Sequence, residues 1–145
     1  MSMKRYKKYM IVMTMALCMS NLCSAQSLKD ADNLVIGKVE KNGIIRSGNN
    51  MMIGMITREG AIRNYRYAMV GKVESNGDIL DKDYRLIGHV AENGEVTNAQ
   101  RQLMGKIDAD GMVKSAEGKI IGSAKDVPLV PAALFFFFGL LEIPS

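Results

Sequence analysis

The chain has 145 residues, with 19 Lys and Arg against 15 Asp and Glu, a single histidine, two cysteines and no tryptophan. The surplus of four positive charges is carried by Lys4, Arg5, Lys7 and Lys8, so the rest of the chain is neutral and lacks the basic footprint of a nucleic-acid binder. Cys18 and Cys23 both stand in the first 25 residues, which leaves the remainder without thiol chemistry and, with one histidine, without the makings of a conventional transition-metal site.

Residues 1–25 read as a signal peptide. A basic start is followed by the short apolar run Met10–Met19 and then by Cys23, Ser24 and Ala25. That order directs Sec-type export, and the apolar run is too short to span a bilayer. Cleavage after Ala25 leaves a chain that begins at Gln26, bound for the periplasm, the cell surface or the medium. A lipoprotein signal is the rival reading, disfavoured because Cys18 and Cys23 both follow a leucine.

Residues 26–127 form a repeat domain. Gly37, Gly54, Gly71, Gly88, Gly105 and Gly122 recur every 17 residues, and so do Gly43, Gly60, Gly77, Gly94 and Gly111. Five full repeats cover 35–119, and half-repeats flank them. The first half of each unit alternates as a strand does, with Val35, Gly37 and Val39 predicted on one face and Ile36, Lys38 and Glu40 on the other. The Val39 slot and the Ile45 slot are apolar throughout. A two-residue turn at Asn42-Gly43 sends those slots to opposite faces. A three-residue loop, Lys41-Asn42-Gly43, pairs Val39 with Ile45 and puts a left-handed residue at Gly43. The Gly37 comb lies inside a strand, which marks either crowding about an axis or a bulge in each strand.

Each unit ends in a polar connector starting with Ser47, Asn64, Asp81, Asn98 or Ser115, whose side chains can bond to the turn backbone. A lone hairpin is marginal in water, so the units must share a core, as a straight stack or a closed ring. The ends favour the ring. Leu28 and Asp30 fill the Ile79 and Asp81 slots of a second half-unit, and 120–127 reads as a first half. Pairing the two halves leaves no open edge. The predicted fold is all-β: a closed, flower-like array of short antiparallel hairpins with an apolar C-terminal tail. The repeated Ile-Gly-Lys-Val/Ile-x-x-Asn/Asp-Gly unit and the terminal phenylalanine run resemble the bacterial exported five-fold β-flower proteins. The resemblance implies petal-like hairpins around an axis and brings no catalytic residues. Five internal hairpins plus one closed from the termini make six petals, where the family's name speaks of five.

The tail, 128–145, contains all four phenylalanines: Phe135, Phe136, Phe137 and Phe138. It reads as a plug for the open hub or as an exposed patch for a membrane surface or partner. It is too short for a transmembrane helix. His89 occupies a slot held elsewhere by lysine and reads as a solvated side chain. Lys38/Glu40, Lys72/Glu74 and Lys106/Asp108 read as a charge-complementary surface ring. No nucleophile–base pair, phosphate loop or calcium loop is evident, so neither catalytic residue nor cofactor nor metal is predicted. The least uniform stretch is Arg63, Tyr65, Arg66 and Tyr67, matched one unit later by Tyr84 and Arg85. It reads either as ring-edge packing or as a site for a ligand or partner. The expectation is a non-enzymatic exported module with a protein, glycan or membrane-surface partner. The alternative is a small-ligand (glycan or lipid) binding protein, seated at the hub or at the Tyr65–Tyr84 edge.

Overall fold

The computed structural model describes residues 26–142; the signal-peptide expectation lies outside the described residues. Twelve strands follow in order: β1 (Gln26–Asp30), β2 (Val35–Val39), β3 (Ile44–Ser47), β4 (Met52–Ile56), β5 (Ala61–Asn64) and β6 (Met69–Val73), then β7 (Asp78–Asp81), β8 (Leu86–Val90), β9 (Glu95–Asn98), β10 (Leu103–Ile107), β11 (Met112–Ser115) and β12 (Ile120–Ser123). Among the described residues one helix, α1 (Leu129–Phe137), follows the strands. Each strand pairs antiparallel with its neighbours in sequence, and β12 closes on β1 to make a barrel.

The hairpin turns follow from the two apolar slots. Val39 pairs with Ile45, Ile56 with Ile62, Val73 with Ile79, Val90 with Val96 and Ile107 with Val113. At the first turn the Gly43 N–H donates to the Glu40 carbonyl at 3.0 Å, and Gly43 adopts φ +89°. The same glycine has a second task that the repeat pattern alone does not reveal. Its carbonyl accepts the Ile56 N–H of the next unit at 3.0 Å, and a Cβ there would run into the Ile56 carbonyl.

The connectors form the opposite end. Asn64 Oδ1 accepts the backbone N–H of Arg66 at 2.9 Å and of Ala68 at 3.1 Å; Asp81, Asn98 and Asp30 make the same pair of bonds. Each connector then turns through a left-handed residue at one fixed slot: Asn33, Asn50, Tyr67, Tyr84, Arg101 and Gly118. Asn and Gly suit that conformation; Tyr and Arg carry a steric cost there.

Every connector hairpin also contains a bulge, and the bulge corrects the predicted alternation. Ile45 faces Gly54 while Arg46 faces Met52, so Ile53 is the extra residue; the same shift recurs at all six connectors. An extra residue reverses the facing of everything before it. Val35 is therefore exposed instead of sharing the Val39 face, and the Ile36 slot packs against the core. Crowding and bulging thus occur together at the Gly37 comb.

Closure uses the two ends of the repeat domain. Leu28 pairs with Gly37, and Lys29 and Asp30 face Ser123 and Gly122. Six petals result, five continuous in sequence and one assembled across the seam. The core is correspondingly sixfold: Leu28, Ile45, Ile62, Ile79, Val96 and Val113 are all 0% exposed.

The centre is filled by the tail, whose helical start the sequence reading did not identify. Pro131 sits in the first turn of α1, where its missing N–H costs nothing. Ala132, Ala133 and Leu134 are fully buried. The helix ends at Phe137, and Phe138 is extended (φ −117°, ψ 126°). From Phe135 onward, the last turn of the helix and the extended residues after it meet the glycine comb one residue per petal. A Cβ on Gly37 would come within 2.6 Å of Phe135, on Gly122 within 2.7 Å of Phe136, and on Gly71 within 3.1 Å of Leu140. Gly105 likewise abuts Phe137, Gly88 abuts Phe138 and Gly54 abuts Leu141. Phe135, Phe136, Phe137, Phe138, Leu140 and Leu141 thus visit the petals in a single circuit of the ring. Each glycine is a notch for one apolar side chain.

Candidate functional site

With the hub occupied by the chain's own tail, the surface divides into three tiers. The middle tier is the outward-facing mid-strand position. It holds Lys29, Lys38, Arg46, Arg63 and Lys72 on β1, β2, β3, β5 and β6, with Lys106 and Lys114 on β10 and β11; no acid occupies it. The hairpin-turn tier is acidic, with Glu40, Glu74, Asp78, Glu95 and Asp108 at the strand ends. The connector tier is apolar on its outer face. Val35 lies opposite Lys29, Met52 opposite Arg46, Met69 opposite Arg63 and Ile120 opposite Lys114. Leu34, Val35, Met51, Leu86, Leu103 and Ile120 are all exposed.

The charge pairs depart from the predicted surface ring. Lys72 does bind Glu74, at 3.7 Å. Glu40, however, binds Arg46 at 2.6 Å and Asp108 binds Lys114 at 2.7 Å, both across the hairpin instead of along the strand. Residues two apart on a strand lie roughly 6.5 Å apart, whereas Arg46 and Lys114 approach the acids diagonally from the facing strand. The contact with Lys114 holds the Asp108 carboxyl below its usual range and raises the Lys114 ammonium. His89, expected to be solvated, is partly covered and shares a 2.8 Å hydrogen bond between its Nδ1 and Asp78 Oδ1. That bond is the main reason the Asp78 carboxyl titrates below its usual range.

The tyrosine–arginine stretch divides between packing and exposure. Arg63 projects outward from β5 and its Nη1 donates to the Tyr67 carbonyl at 2.9 Å, bracing the connector. Arg66 lies over the Tyr65 ring, 5.3 Å from its centroid. Tyr67 and Tyr84 occupy equivalent left-handed positions on adjacent petals, and each is 61% exposed. Arg85 is exposed beside Tyr84. The aromatic ring–ring contacts among the described residues lie instead in the phenylalanine run, Phe135 against Phe136 at 5.5 Å and Phe136 against Phe137 at 6.5 Å. Phe138 is buried, while Phe135, Phe136 and Phe137 remain half-buried over their glycines.

A cleft of about 460 Å³ opens at the hairpin-turn end, where the chain leaves β12 for α1; Glu92, Asp108, Asp110, Asp126 and Leu129 line part of it. It went unforeseen because it arises where the sixth hairpin turn is replaced by the start of the tail. Among the described residues no helix is long and apolar enough to cross a membrane. A family model described as a 5-fold beta-flower protein matches residues 25–139. No curated protein and no solved structure matches the chain.

Proposed function

The chain belongs to the 5-fold beta-flower family, and on that premise we propose that it acts as an exported, non-enzymatic structural and interaction module. The observation that carries this reading is the outer connector tier, where Val35, Leu86, Leu103 and Ile120 lie exposed at the same slot of successive units. Apolar surface repeated in register is interaction surface, since a free monomer gains nothing by displaying it. The interior offers little to chemistry, because each repeat position is committed to a turn, a core ring or a glycine notch. Export follows from the basic, apolar and small-residue order of residues 1–25.

The test is site-specific photo-crosslinking in the native envelope. A crosslinker at Tyr84, on the connector tier, should trap a discrete partner that the same group at Glu95, on the hairpin-turn tier, does not. Equal or absent capture from both positions would count against an interaction module. A second reading, binding of a small glycan, is favoured by the exposure of Tyr67 and Tyr84 on neighbouring petals. A glycan array that responds to the wild type and not to Tyr67→Ala or Tyr84→Ala would support it, and indifference to both substitutions would exclude that edge. Tail side chains lie against the hub glycines, which favours the Tyr67–Tyr84 edge over the hub as the seat in this second reading.

A further inference from the structure

The basic tier is uneven around the ring, and its dense part spans the closure seam. Taking neighbouring strands in order, β10 carries Lys106, β11 Lys114, β1 Lys29, β2 Lys38 and β3 Arg46; Ser123 on β12 is the one neutral member of this arc. Two of the cross-strand pairs set like charges directly opposite each other, Lys38 facing Arg46 and Lys106 facing Lys114. Such pairs are destabilising in an isolated sheet. Glu40 and Asp108 relieve one member of each pair through Arg46 and Lys114. The other half of the ring, β4 to β9, carries fewer cations: there the same tier reads Met55, Arg63, Lys72, Leu80, His89 and Thr97.

Exposed aliphatics run beside the cations along this arc. Leu103, Ile120 and Val35 stand at the strand starts of β10, β12 and β2, with Leu34 beside Val35. Lys29 faces Val35 and Lys114 faces Ile120 as direct cross-strand neighbours, which places charge and aliphatic group about 5 Å apart at the Cβ atoms. Six adjacent strands are half of the closed ring, roughly 25 Å along its curve, so Lys29 and Lys38 beside the seam face one plane while Lys106 and Arg46 flank it; the arc is larger than a small ligand needs.

We propose that this face, across the β12–β1 seam, docks side-on against an anionic lipid bilayer. The proposal rests on the reading of the chain as an interaction module and names the partner. The cations would lie among anionic headgroups, whose surface potential attracts near-surface Lys and Arg, and the aliphatic row would enter the boundary with the acyl chains. The aliphatic row selects a bilayer over a soluble polyanion, because a hydrophilic polymer gains nothing by covering Leu103, Ile120 and Val35.

The chain has no tryptophan, so a single introduced one reports without background. Val35 and Leu86 occupy the same repeat slot on opposite sides of the ring and are 43% and 41% exposed. Full-length Val35→Trp and Leu86→Trp chains are mixed with vesicles of phosphatidylcholine, with and without phosphatidylglycerol, carrying brominated acyl chains. The expected result is quenching of Val35→Trp by the anionic vesicles alone, with Leu86→Trp unaffected. Residues 1–25 are common to both chains and cannot produce the difference. Lys38→Glu with Lys106→Glu should weaken anionic binding about tenfold or more. Equal quenching of both tryptophans, quenching by neutral vesicles, or no quenching overturns the proposal. So does a charge-dependent response to a soluble anionic polysaccharide without lipid quenching. If lipid binding fails while Tyr84 still traps a partner, only the identification of the partner falls. If both fail, the module reading falls as well.

Discussion

Gly88→Ala isolates the steric role of the glycine comb. Gly88 has no left-handed φ to protect, so the substitution tests space alone. The new Cβ would stand 2.5 Å from Phe138 Cζ and 2.6 Å from the Thr97 carbonyl oxygen. The ring is held in the core and the carbonyl belongs to the adjacent strand of the barrel, so neither retreats freely. Overpacking costs about 1–3 kcal/mol, occasionally more, and contact from two directions places Gly88→Ala near the top of that range. Gly118→Ala is the control: its φ is +86° and nothing lies within 4 Å, so only the left-handed penalty of about 1–2 kcal/mol applies. Urea unfolding of both variants supplies the comparison. Phe138→Ala, costing about 3–5 kcal/mol alone, completes a double-mutant cycle. The ring and the new methyl compete for one volume, so the double variant should be more stable than additivity predicts by at least about 1 kcal/mol. Strict additivity, together with Gly88→Ala no worse than Gly118→Ala, would refute the notch.

Three further outcomes follow from the same geometry. Tyr67 holds φ +64° with an exposed ring, so Tyr67→Gly should raise stability by about 0.5–1 kcal/mol in urea unfolding; a loss would show that the ring packs. Deleting 128–145 should lower the melting temperature and increase binding of an apolar-surface dye, because six glycine notches and the core rings around them would face solvent; an unchanged melting temperature would contradict the plug. Asp78 is held below its usual carboxylate value of 3.8, chiefly by its hydrogen bond with His89. A carboxyl lowered in the folded state contributes stability that is complete above the unfolded value and is lost as pH falls through the folded one. Asp78→Asn should therefore cost less than about 1 kcal/mol at neutral pH, and the difference should vanish below the folded value. A gap that persists in acid would mean the contact is not carried by ionisation.

The sequence revealed the fold where one local constraint had one solution. Pairing Val39 with Ile45 on a common face required the three-residue loop and a left-handed Gly43, and both are present. The half-units at Leu28 and 120–127 likewise implied closure. The facing of Val35 was not legible, because a bulge reverses alternation without altering the residue pattern. The left-handed connector slot was legible in principle: Asn33, Asn50 and Gly118 mark it at the 17-residue spacing, and Tyr67 and Tyr84 share it. The seating of the tail was beyond reach, because it joins residues outside the repeat to glycines spread over 86 positions, from Gly37 to Gly122. The basic arc across the seam was hidden for a related reason. Lys29 and Lys114 stand far apart in sequence and come together only when β12 closes on β1.

The one-to-one seating of the tail also bears on how such a chain can evolve. Tandem units are gained and lost readily by unequal recombination, and a ring of near-identical petals invites it. Here a duplicated unit would bring a glycine with no side chain to occupy it. A deleted unit would leave a phenylalanine or leucine with nowhere to sit. Copy number is thus enforced by a segment outside the copies, so a change in petal count requires a matching change near the C-terminus. In this lineage the two should vary together.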